Sequence, residues 1–298
     1  MTVYDLCLAR NWEYDSDFAR ILDSACAARG MTLLDISAAN LAESLSLLSR
    51  REAAFRSLLD RASEADSSYL PLVDMAQSFG ARRFNPRELA DRAYDKASLH
   101  HLFLEEGIPT PRTIILPAYL AQPELPPLYL DSLGKCFTAK PALGGGGDGV
   151  MLEISTLEQI QSARKLFPEQ QYLLQEHVTP KQALGLPAWF RVIYCLGDFH
   201  VSFWDTTTHV YTPLTPEEET MLGLWTLPNV TRRIAGLCQL DLFSTEICLT
   251  EEDRLVVVDY VNDPIDLRLQ SKAKDGVPDF MVEQVAARIV EACIQNQN

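Results

Sequence analysis

The chain has 298 residues, of which 47% are hydrophobic and 22% are charged, and its formal net charge is −15 at pH 7. This length and composition predict a folded protein with a large core in two or three lobes, and they argue against disorder. Because nucleic acids and anionic membranes are bound by clustered lysine and arginine, the acidic balance argues against both partners.

The cysteines and the N-terminal residues indicate a cytoplasmic protein. The seven cysteines are widely spaced, odd in number and never arranged as CxxC, which favours reduced core thiols over disulfides or a metal cluster. The first residues include acids and no long apolar stretch, so we expect neither a signal peptide nor a membrane span.

Residues 1–92 alternate predicted strands and helices. The order is a strand over Val3–Ala9, a helix over Asp15–Arg29, a strand over Met31–Ile36 and a long helical pattern from Ala38 to about Arg61. This alternation is typical of a small parallel α/β domain.

Residues 93–178 contain the most informative segment of the chain. A short strand ends at Lys140, and four consecutive glycines follow at Gly144–Gly147. Glycines let successive backbone N–H groups approach an anion, so we interpret the run as a loop that covers phosphates; a plain flexible hairpin loop is the alternative. The other predicted elements here are a helix from Asp95 that stops at Gly107, a strand over Val150–Ile154, a helix over Leu157–Lys165 and a strand over Gln171–Val178.

Residues 179–298 are predicted to form a second mixed unit. Its elements are strands over Trp189–Cys195 and Phe199–Trp204, a helix from about Pro216 to Leu240, a hairpin of Phe243–Leu249 with Arg254–Asn262, and a helix over Phe280–Ile294.

The order of motifs resembles the ATP-grasp superfamily. The motifs are Asp95-Lys96 with GIPTP, Lys140-Pro141 with the glycines, LLQEHV, WFRV, and STE paired with VVVDYVNDP. Over roughly residues 90 to 268 the chain is most similar to RimK-type and glutathione-synthetase-like carboxylate-amine ligases. The resemblance implies an α/β (α+β) ATP-grasp fold in which residues 93–178 form the small lobe and residues 179–298 the large lobe. Residues 1–92 would be the small parallel domain that precedes the grasp.

The resemblance also implies an ATP site. Lys96 and Lys140 would contact the phosphates, and the glycine loop with Gly145, Gly146 and Gly147 would close over them. Arg191 would reach the transferred phosphate and, with Lys140, would be catalytic. A solvated helix position for Lys96 and a structural salt bridge for Arg191 are the alternatives. The adenine would be read by backbone groups of the hinge segment, which comprises Gln175, Glu176, His177 and Val178.

The predicted hairpin contains a candidate Mg²⁺ site. If a two-residue loop places Glu251 opposite Arg254, Glu246 faces Asp259, and two opposed carboxylates repel unless a cation lies between them. In the resembled family the second acid stands two places before an asparagine, whereas Asp259 lies three places before Asn262. On a regular strand these two side chains would point to opposite faces. A bulge at Tyr260 or Val261 would bring them together; otherwise Asp263 replaces Asn262, or one ion is bound rather than two.

The substrate site is weakly encoded. By position, Trp204 and His209, with Tyr211, are candidates for an aromatic wall, and Arg268 and Lys272 for binding an anionic substrate group. The function implied is an ATP- and Mg²⁺-dependent ligase that activates a carboxylate as an acyl phosphate and joins it to an amine. The substrates would be small molecules or peptides. A kinase of the same fold, a nucleotide-binding regulatory protein and a homo-oligomeric state are all left open.

Overall fold

A computed structural model describes residues 1–295 of the chain. The N-terminal part is built on a four-stranded parallel sheet with the strand order β3-β2-β5-β6, next to a two-stranded parallel pair, β1-β4. Its elements are β1 (Thr2–Tyr4), β2 (Leu6–Arg10), α1 (Ser16–Ala28), β3 (Leu33–Ile36), α2 (Leu41–Ser49), β4 (Ala53–Phe55), β5 (Ser57–Arg61), α3 (Leu70–Phe79) and β6 (Arg82–Phe84). Strand β2 begins with an uninterrupted buried run, as a parallel strand covered on both faces requires.

The helix predicted from Ala38 to Arg61 is wrong beyond Ser49. Helix α2 is followed by Arg51, whose φ of 57° is left-handed and turns the chain. The apolar residues after this turn, including Phe55 and Leu58, are buried in β4 and β5 instead. Apolar residues continue beyond the turn, but they belong to buried strands. A short apolar run alone does not distinguish a buried strand from a helix.

The central part forms an antiparallel sheet with the order β7-β10-β8-β9. Its elements are α4 (Arg87–Tyr94), α5 (Lys96–Glu105), β7 (Thr113–Leu116), β8 (Phe137–Pro141), β9 (Met151–Ile154), α6 (Leu157–Arg164) and β10 (Tyr172–Glu176). Helix α5 starts at Lys96 because the Asp95 carboxylate accepts hydrogen bonds from the N–H groups of Ala97 and Ser98.

The C-terminal part contains a five-stranded antiparallel sheet with the order β15-β14-β13-β16-β17 and a short pair, β11-β12. Its elements are β11 (Gln182–Ala183), β12 (Leu186–Pro187), β13 (Trp189–Cys195), β14 (Asp198–Trp204), β15 (Tyr211–Pro213), α7 (Pro216–Met221), α8 (Leu227–Cys238), β16 (Leu242–Leu249), β17 (Leu255–Asn262) and α9 (Asp279–Gln295). The single helix predicted over Pro216–Leu240 is interrupted, because Gly223 adopts φ 67° between α7 and α8.

One hydrophobic core connects the beginning and the end of the chain. Phe18 and Leu22 of α1 pack with Val285 and Ile289 of α9 and with Ile193 of β13. The predicted divisions at residues 92 and 178 stay a prediction. Within residues 1–295 no helix combines the length and the apolar character needed to cross a bilayer.

A buried ion pair lies at the carboxyl end of β5. Arg61 and Asp15 have side chains that are 2% and 1% exposed, with Nη2 and Oδ1 2.7 Å apart. Arg61 Nη2 also donates to the carbonyl of Ile265 at 2.9 Å. The parallel sheet is thereby connected to the segment that follows β17.

Candidate functional site

The hairpin of β16 and β17 carries two bulges that determine which side chains share a face. Leu249 pairs with Leu255 and Ile247 with Val257, but Glu246 pairs with Asp259, so that Val258 is an extra residue on β17. The loop therefore spans residues 250–254 rather than two residues, and the bulge at Val258 restores the predicted pairing of Glu246 with Asp259.

The second bulge brings Asn262 to the face of Asp259. Asn262 pairs with Ser244, two residues before Glu246, and its Nδ2 donates to Asp259 Oδ2 at 2.9 Å. The extra residue lies between Asp259 and Asn262, where the sequence placed a bulge at Tyr260 or Val261. Glu246, Asp259 and Asn262 therefore lie together, and the three-residue spacing does not separate them.

Arg191 lies on β13 directly across from Glu246. Its Nη1 donates to Glu246 Oε1 at 2.8 Å, and Nε and Nη2 donate to Ser244 Oγ at 3.2 and 3.1 Å. Burial raises the pKa of Glu246, and the charge of Asp259 adds to the rise, while Arg191 opposes it. The guanidinium thus compensates part of the negative charge that the two carboxylates bring into the site.

The two predicted phosphate-binding lysines approach the same site from α5 and β8. Lys140 Nζ donates to the Val258 carbonyl at 3.0 Å, and Lys96 Nζ donates to the Gly144 carbonyl. Burial lowers the pKa of Lys140 to about 8, and it lowers that of Lys96 as well. The charge of Lys96 also lowers the pKa of Lys140. Lys96 is half-buried and bonded to the glycine loop, so it is not a solvated helix residue.

The glycine loop is held at its beginning and open in its middle. Gly145, Gly146 and Gly147 are exposed, and a side chain at Gly146 or Gly147 would meet nothing within 4 Å. Gly146 has φ 63° and Gly147 has φ 80°, conformations that favour glycine. The loop is shaped so that its backbone faces solvent without side chains, as a phosphate-covering loop requires.

The structure places the four predicted hinge residues at and after the end of β10. Gln175 lies in this inner strand, paired with Thr113 on one side and Thr138 on the other, so its backbone lies within the sheet. The Glu176 carboxylate accepts from the Arg112 N–H at 2.9 Å and pairs with Arg112 Nε at 3.1 Å. The exposed His177 and the buried Val178 follow the strand, and the reading of adenine by this segment stays a prediction.

The predicted aromatic wall is assembled beside Arg191. The rings of Trp204 and His209 stack at 5.3 Å, and Tyr211 meets Trp204 edge-on at 4.7 Å. The Arg191 guanidinium lies 4.7 Å from the Trp204 ring centroid. The wall is thus continuous with the charged site.

The two cations predicted to bind an anionic substrate group are less suitable. The guanidinium of Arg268 donates to Asp266 at 2.7 Å and to Asp275 at 2.8 Å, so its donors are already occupied by carboxylates. Lys272 is exposed on the loop before α9. The guanidinium of Arg268 is therefore already paired, and the binding of an anionic substrate group by Arg268 or Lys272 stays a prediction.

Three residues of the site were not identified from the sequence. Ser244 stands two places before Glu246, and strand alternation could have placed it on the same face. Tyr260 is fully buried, and its hydroxyl is bonded to His100 on α5. No local pattern indicates His100, because its partner is 160 positions away in the chain.

The oxygen donors of the hairpin suit a hard cation. Within residues 1–295 no group of three or more histidine, cysteine, aspartate or glutamate side chains is arranged to hold a metal ion. Glu246, Asp259 and Asn262 offer two carboxylates and an amide, which are ligands that Mg²⁺ takes together with phosphate oxygens. These residues therefore fit Mg²⁺ bound jointly with a nucleotide.

The backbone is similar to solved ATP-grasp structures over nearly its whole length. A RimK domain protein ATP-grasp from Sphaerobacter thermophilus DSM 20745 has a TM-score of 0.65 at 22% identity, covering 96% of this chain and 98% of that chain. D-alanine–D-alanine ligase from Bacillus anthracis, complexed with ATP, has a TM-score of 0.67 at 12% identity over 99% and 97%. The ATP-grasp ligase PsnB, complexed with minimal precursor, Mg and ADP, has a TM-score of 0.63 at 13% identity over 98% and 97%.

Neither a family model nor a curated protein sequence matches the chain. The likeness in structure shows the fold, and the prediction of an α/β (α+β) ATP-grasp fold is confirmed.

Proposed function

We propose that the protein is an ATP- and Mg²⁺-dependent ligase that joins a carboxylate to an amine. The observation that carries the proposal is the face on which Glu246 pairs with Asp259 and Asn262 contacts Asp259 at 2.9 Å, with Lys140 and Arg191 beside it. ATP brings about four negative charges into a small volume, so its site needs fixed cations and a divalent metal. This face offers both requirements.

Each residue of the face has a task in this proposal. Lys140 and Lys96 bind phosphate oxygens as flexible point charges, and the glycine loop donates backbone N–H groups to them. Arg191 leaves Glu246 in part to stabilise the phosphate that is transferred. Glu246, Asp259 and Asn262 would hold one or two Mg²⁺ ions, whose charge would offset that of the phosphate oxygens.

The proposed reaction has two steps. A substrate carboxylate oxygen attacks the terminal phosphorus of ATP, and the bond to ADP breaks to give an acyl phosphate. The amine nitrogen then attacks the carbonyl carbon, inorganic phosphate leaves with its oxygen, and the nitrogen loses a proton to solvent. No side-chain nucleophile is required, because positioning and charge stabilisation lower both barriers.

Both small and peptide substrates are consistent with the comparisons. Solved structures with this fold include D-alanine–D-alanine ligase and the macrocyclase MdnC bound with precursor peptide MdnA from Microcystis aeruginosa MRC. In this chain the exposed His209 stacks on Trp204, which is buried with Tyr211, and the donors of Arg268 are occupied by Asp266 and Asp275. We therefore propose an acceptor recognised through apolar contact rather than through several phosphates, which disfavours a kinase acting on a polyanion.

One observation favours a second function. Arg191 donates to Glu246 and Ser244, and Lys140 lies beside the same face. The two cations Arg191 and Lys140 therefore balance the two carboxylates Glu246 and Asp259 without a metal ion. A nucleotide-binding regulatory protein would use such a face to bind ATP without turnover.

ATP hydrolysis with Mg²⁺ and hydroxylamine, over a panel of amino acids and short peptides, separates these functions. Hydroxylamine captures an acyl phosphate as a hydroxamate, so a ligase yields hydroxamate only when its carboxylate substrate is present. A phosphorylated alcohol indicates a kinase. ATP binding without product in every reaction would replace the ligase by the regulatory function.

ATP binding itself is tested by Lys140→Met, which removes a charge with little change of volume. Losing a charge-assisted contact to phosphate should weaken ATP binding by about 2 kcal/mol, or roughly thirtyfold, by calorimetry. Because Lys140 is 8% exposed, folding is checked by circular dichroism in parallel. An unchanged affinity in the folded variant would remove Lys140 from the ATP site.

A further inference from the structure

The ammonium group of Lys140 has unusual surroundings for a lysine next to two acids. Its contacts in the described part of the chain are the Val258 carbonyl at 3.0 Å and the ring of Tyr260, whose centroid is 5.3 Å from Nζ. The charges of Asp259 and Glu246 both raise the pKa of Lys140, against the effect of its burial. Neither carboxylate forms an ion pair with Lys140, and Glu246 pairs with Arg191 instead. A carbonyl and an aromatic face therefore hold the ammonium group close to the carboxylates but apart from them.

The carbonyl is available because of the first bulge. Val258 is the extra residue between Val257 and Asp259, so it has no partner residue across the ladder on β16. A bulged residue leaves backbone groups outside the regular ladder, and Lys140 uses one of them. The same irregularity that places Asp259 opposite Glu246 thus supplies an acceptor for the lysine.

The ring is fixed by partners on two other elements. Tyr260 is fully buried, its oxygen accepts from Gln175 Nε2 at 2.9 Å, and it lies 2.6 Å from His100 Nδ1. Its ring also packs on Phe103, with centroids 5.0 Å apart. Contacts from α5 and β10 therefore determine the orientation of the ring face that Lys140 meets.

We infer that Tyr260 is a positioning residue for Lys140, because its ring keeps the ammonium group from pairing with Glu246 or Asp259 and leaves it available to ATP phosphates. A cation over an aromatic face is attracted to the ring without being neutralised. The inference rests on the proposed function in one respect, namely that Lys140 binds ATP. It assigns a task to the residue that stands where the resembled family has an acid.

A double-mutant cycle on MgATP affinity tests the inference by calorimetry on the full chain. Tyr260→Leu should weaken binding about fivefold, whereas Tyr260→Phe, which keeps the ring and loses the hydroxyl, should stay within about twofold. In the Lys140→Met background Tyr260→Leu should change the affinity less than about twofold, because the residue acts through Lys140. Phe203→Leu is the matched control: it removes a buried ring of the same core, but its ring packs on Phe190, and its affinity should equal that of the unmodified protein.

The possible outcomes separate the inference from the proposed function. If Lys140→Met weakens ATP binding and Tyr260→Leu weakens it further by the same factor in both backgrounds, the positioning role is overturned and the ATP site stands. If Lys140→Met leaves the affinity unchanged, Lys140 is removed from the ATP site and the positioning role of Tyr260 is overturned with it.

A spectroscopic measurement decides the matter even if Tyr260→Leu does not fold. In a protein with ¹³C-labelled lysine, the Lys140 ε-methylene signal, identified by its loss in Lys140→Met, should be shifted upfield by the Tyr260 ring. An ordinary, unshifted signal in the unmodified protein would overturn the inference. The shift should persist in Tyr260→Phe.

Discussion

The pKa values of single residues in this site are shifted by burial. Burial lowers the pKa of Lys140 to about 8 and raises that of Glu246, because each charged form loses hydration. The register of the predicted hairpin placed Glu246 opposite Asp259, and motif order placed Lys140 in the same site, whereas Asn262 joins them through a bulge that the sequence left as one alternative. The sequence could not identify His100, whose importance depends on a contact between α5 and β17 that no local pattern encodes.

His100 leads to a prediction for stability in acid. Burial lowers its pKa to about 4, aided by the charges of His101 and Lys140, whereas an unfolded histidine titrates near 6.5. The neutral form is preferred in the folded state, so this contribution to stability is complete above about pH 6.5 and is lost as the pH falls towards 4. His100→Gln removes the titration and keeps an oxygen that accepts from the Tyr260 hydroxyl.

Urea unfolding at several pH values measures this contribution. Between pH 6.5 and 4.5, the free energy of unfolding should fall less steeply in His100→Gln than in the unmodified protein, by at most about 1.4 kcal/mol per pH unit. Parallel curves for the two proteins would mean that His100 is not held neutral by the fold.

At the scale of elements, the sequence predicted the alternation of strands and helices better than the residues at which they begin and end. The helices α1 and α9 and the strands β13 and β14 were located within a few residues, because their apolar periodicity is unbroken. The helix predicted over Ala38–Arg61 failed where a left-handed residue reversed the chain, and that conformation has no signature at Arg51. Turns of this kind are determined by tertiary packing rather than by local preference.

The glycine loop should become ordered when nucleotide binds. In the structure Lys96 contacts the Gly144 carbonyl, but Gly145–Gly147 are exposed, so few contacts protect their amides. Hydrogen exchange over residues 136–151 should slow with MgATP, because phosphate oxygens accept from these N–H groups. Strands β2 and β3 of the N-terminal sheet hold no residue of the proposed site, so they serve as the internal control and should not change. Equal exchange in both states would identify the loop as an ordinary hairpin.

The hairpin of β16 and β17 allows the metal site to be separated from folding. Asp259→Asn should leave the melting temperature without ligand unchanged or raised, because the Asp259 charge disfavours ionisation of Glu246. It should abolish the additional stabilisation that Mg²⁺ gives in the presence of ATP, since a ligand stabilises only the state that binds it. Differential scanning fluorimetry with ATP, with and without Mg²⁺, measures both effects.

A matched control lies in the loop of the same hairpin. Asp253→Asn removes an exposed carboxylate that lies in the loop before β17 and pairs with Lys181, and it should retain the Mg²⁺ effect. Asn262→Ala should lose the effect, because the second bulge places Asn262 beside Asp259. If Asp259→Asn kept the full Mg²⁺ effect, these acids would not be the metal ligands.

On the scale of the whole molecule, the parallel sheet and the segment after β17 are connected through Arg61. This arginine pairs with Asp15 and donates to the Ile265 carbonyl, and both partners are almost inaccessible to water. Asp15→Asn would leave a buried charge without its counter-ion, which typically costs about 3 kcal/mol of stability. The exposed pair of Arg20 with Asp17 is the control, because Asp17→Asn should cost less than about 1 kcal/mol.

Chemical unfolding of the two variants provides the measurement. A large loss for Asp15→Asn with a small one for Asp17→Asn is expected. Equal losses would mean that the Arg61 pair contributes no more than a surface contact.

The two bulges of β17 have a consequence in genetic terms. Each amounts to a one-codon insertion that the strand absorbs locally, because Ile247 still pairs with Val257 before it and Ser244 with Asn262 after it. A substitution changes the contacts of one side chain. Losing or gaining one codon in β17 removes or adds a bulge and thereby changes which side chains share a face. A motif search that fixes the number of codons between the aspartate and the asparagine therefore discards chains of this kind, although their side chains meet on one face.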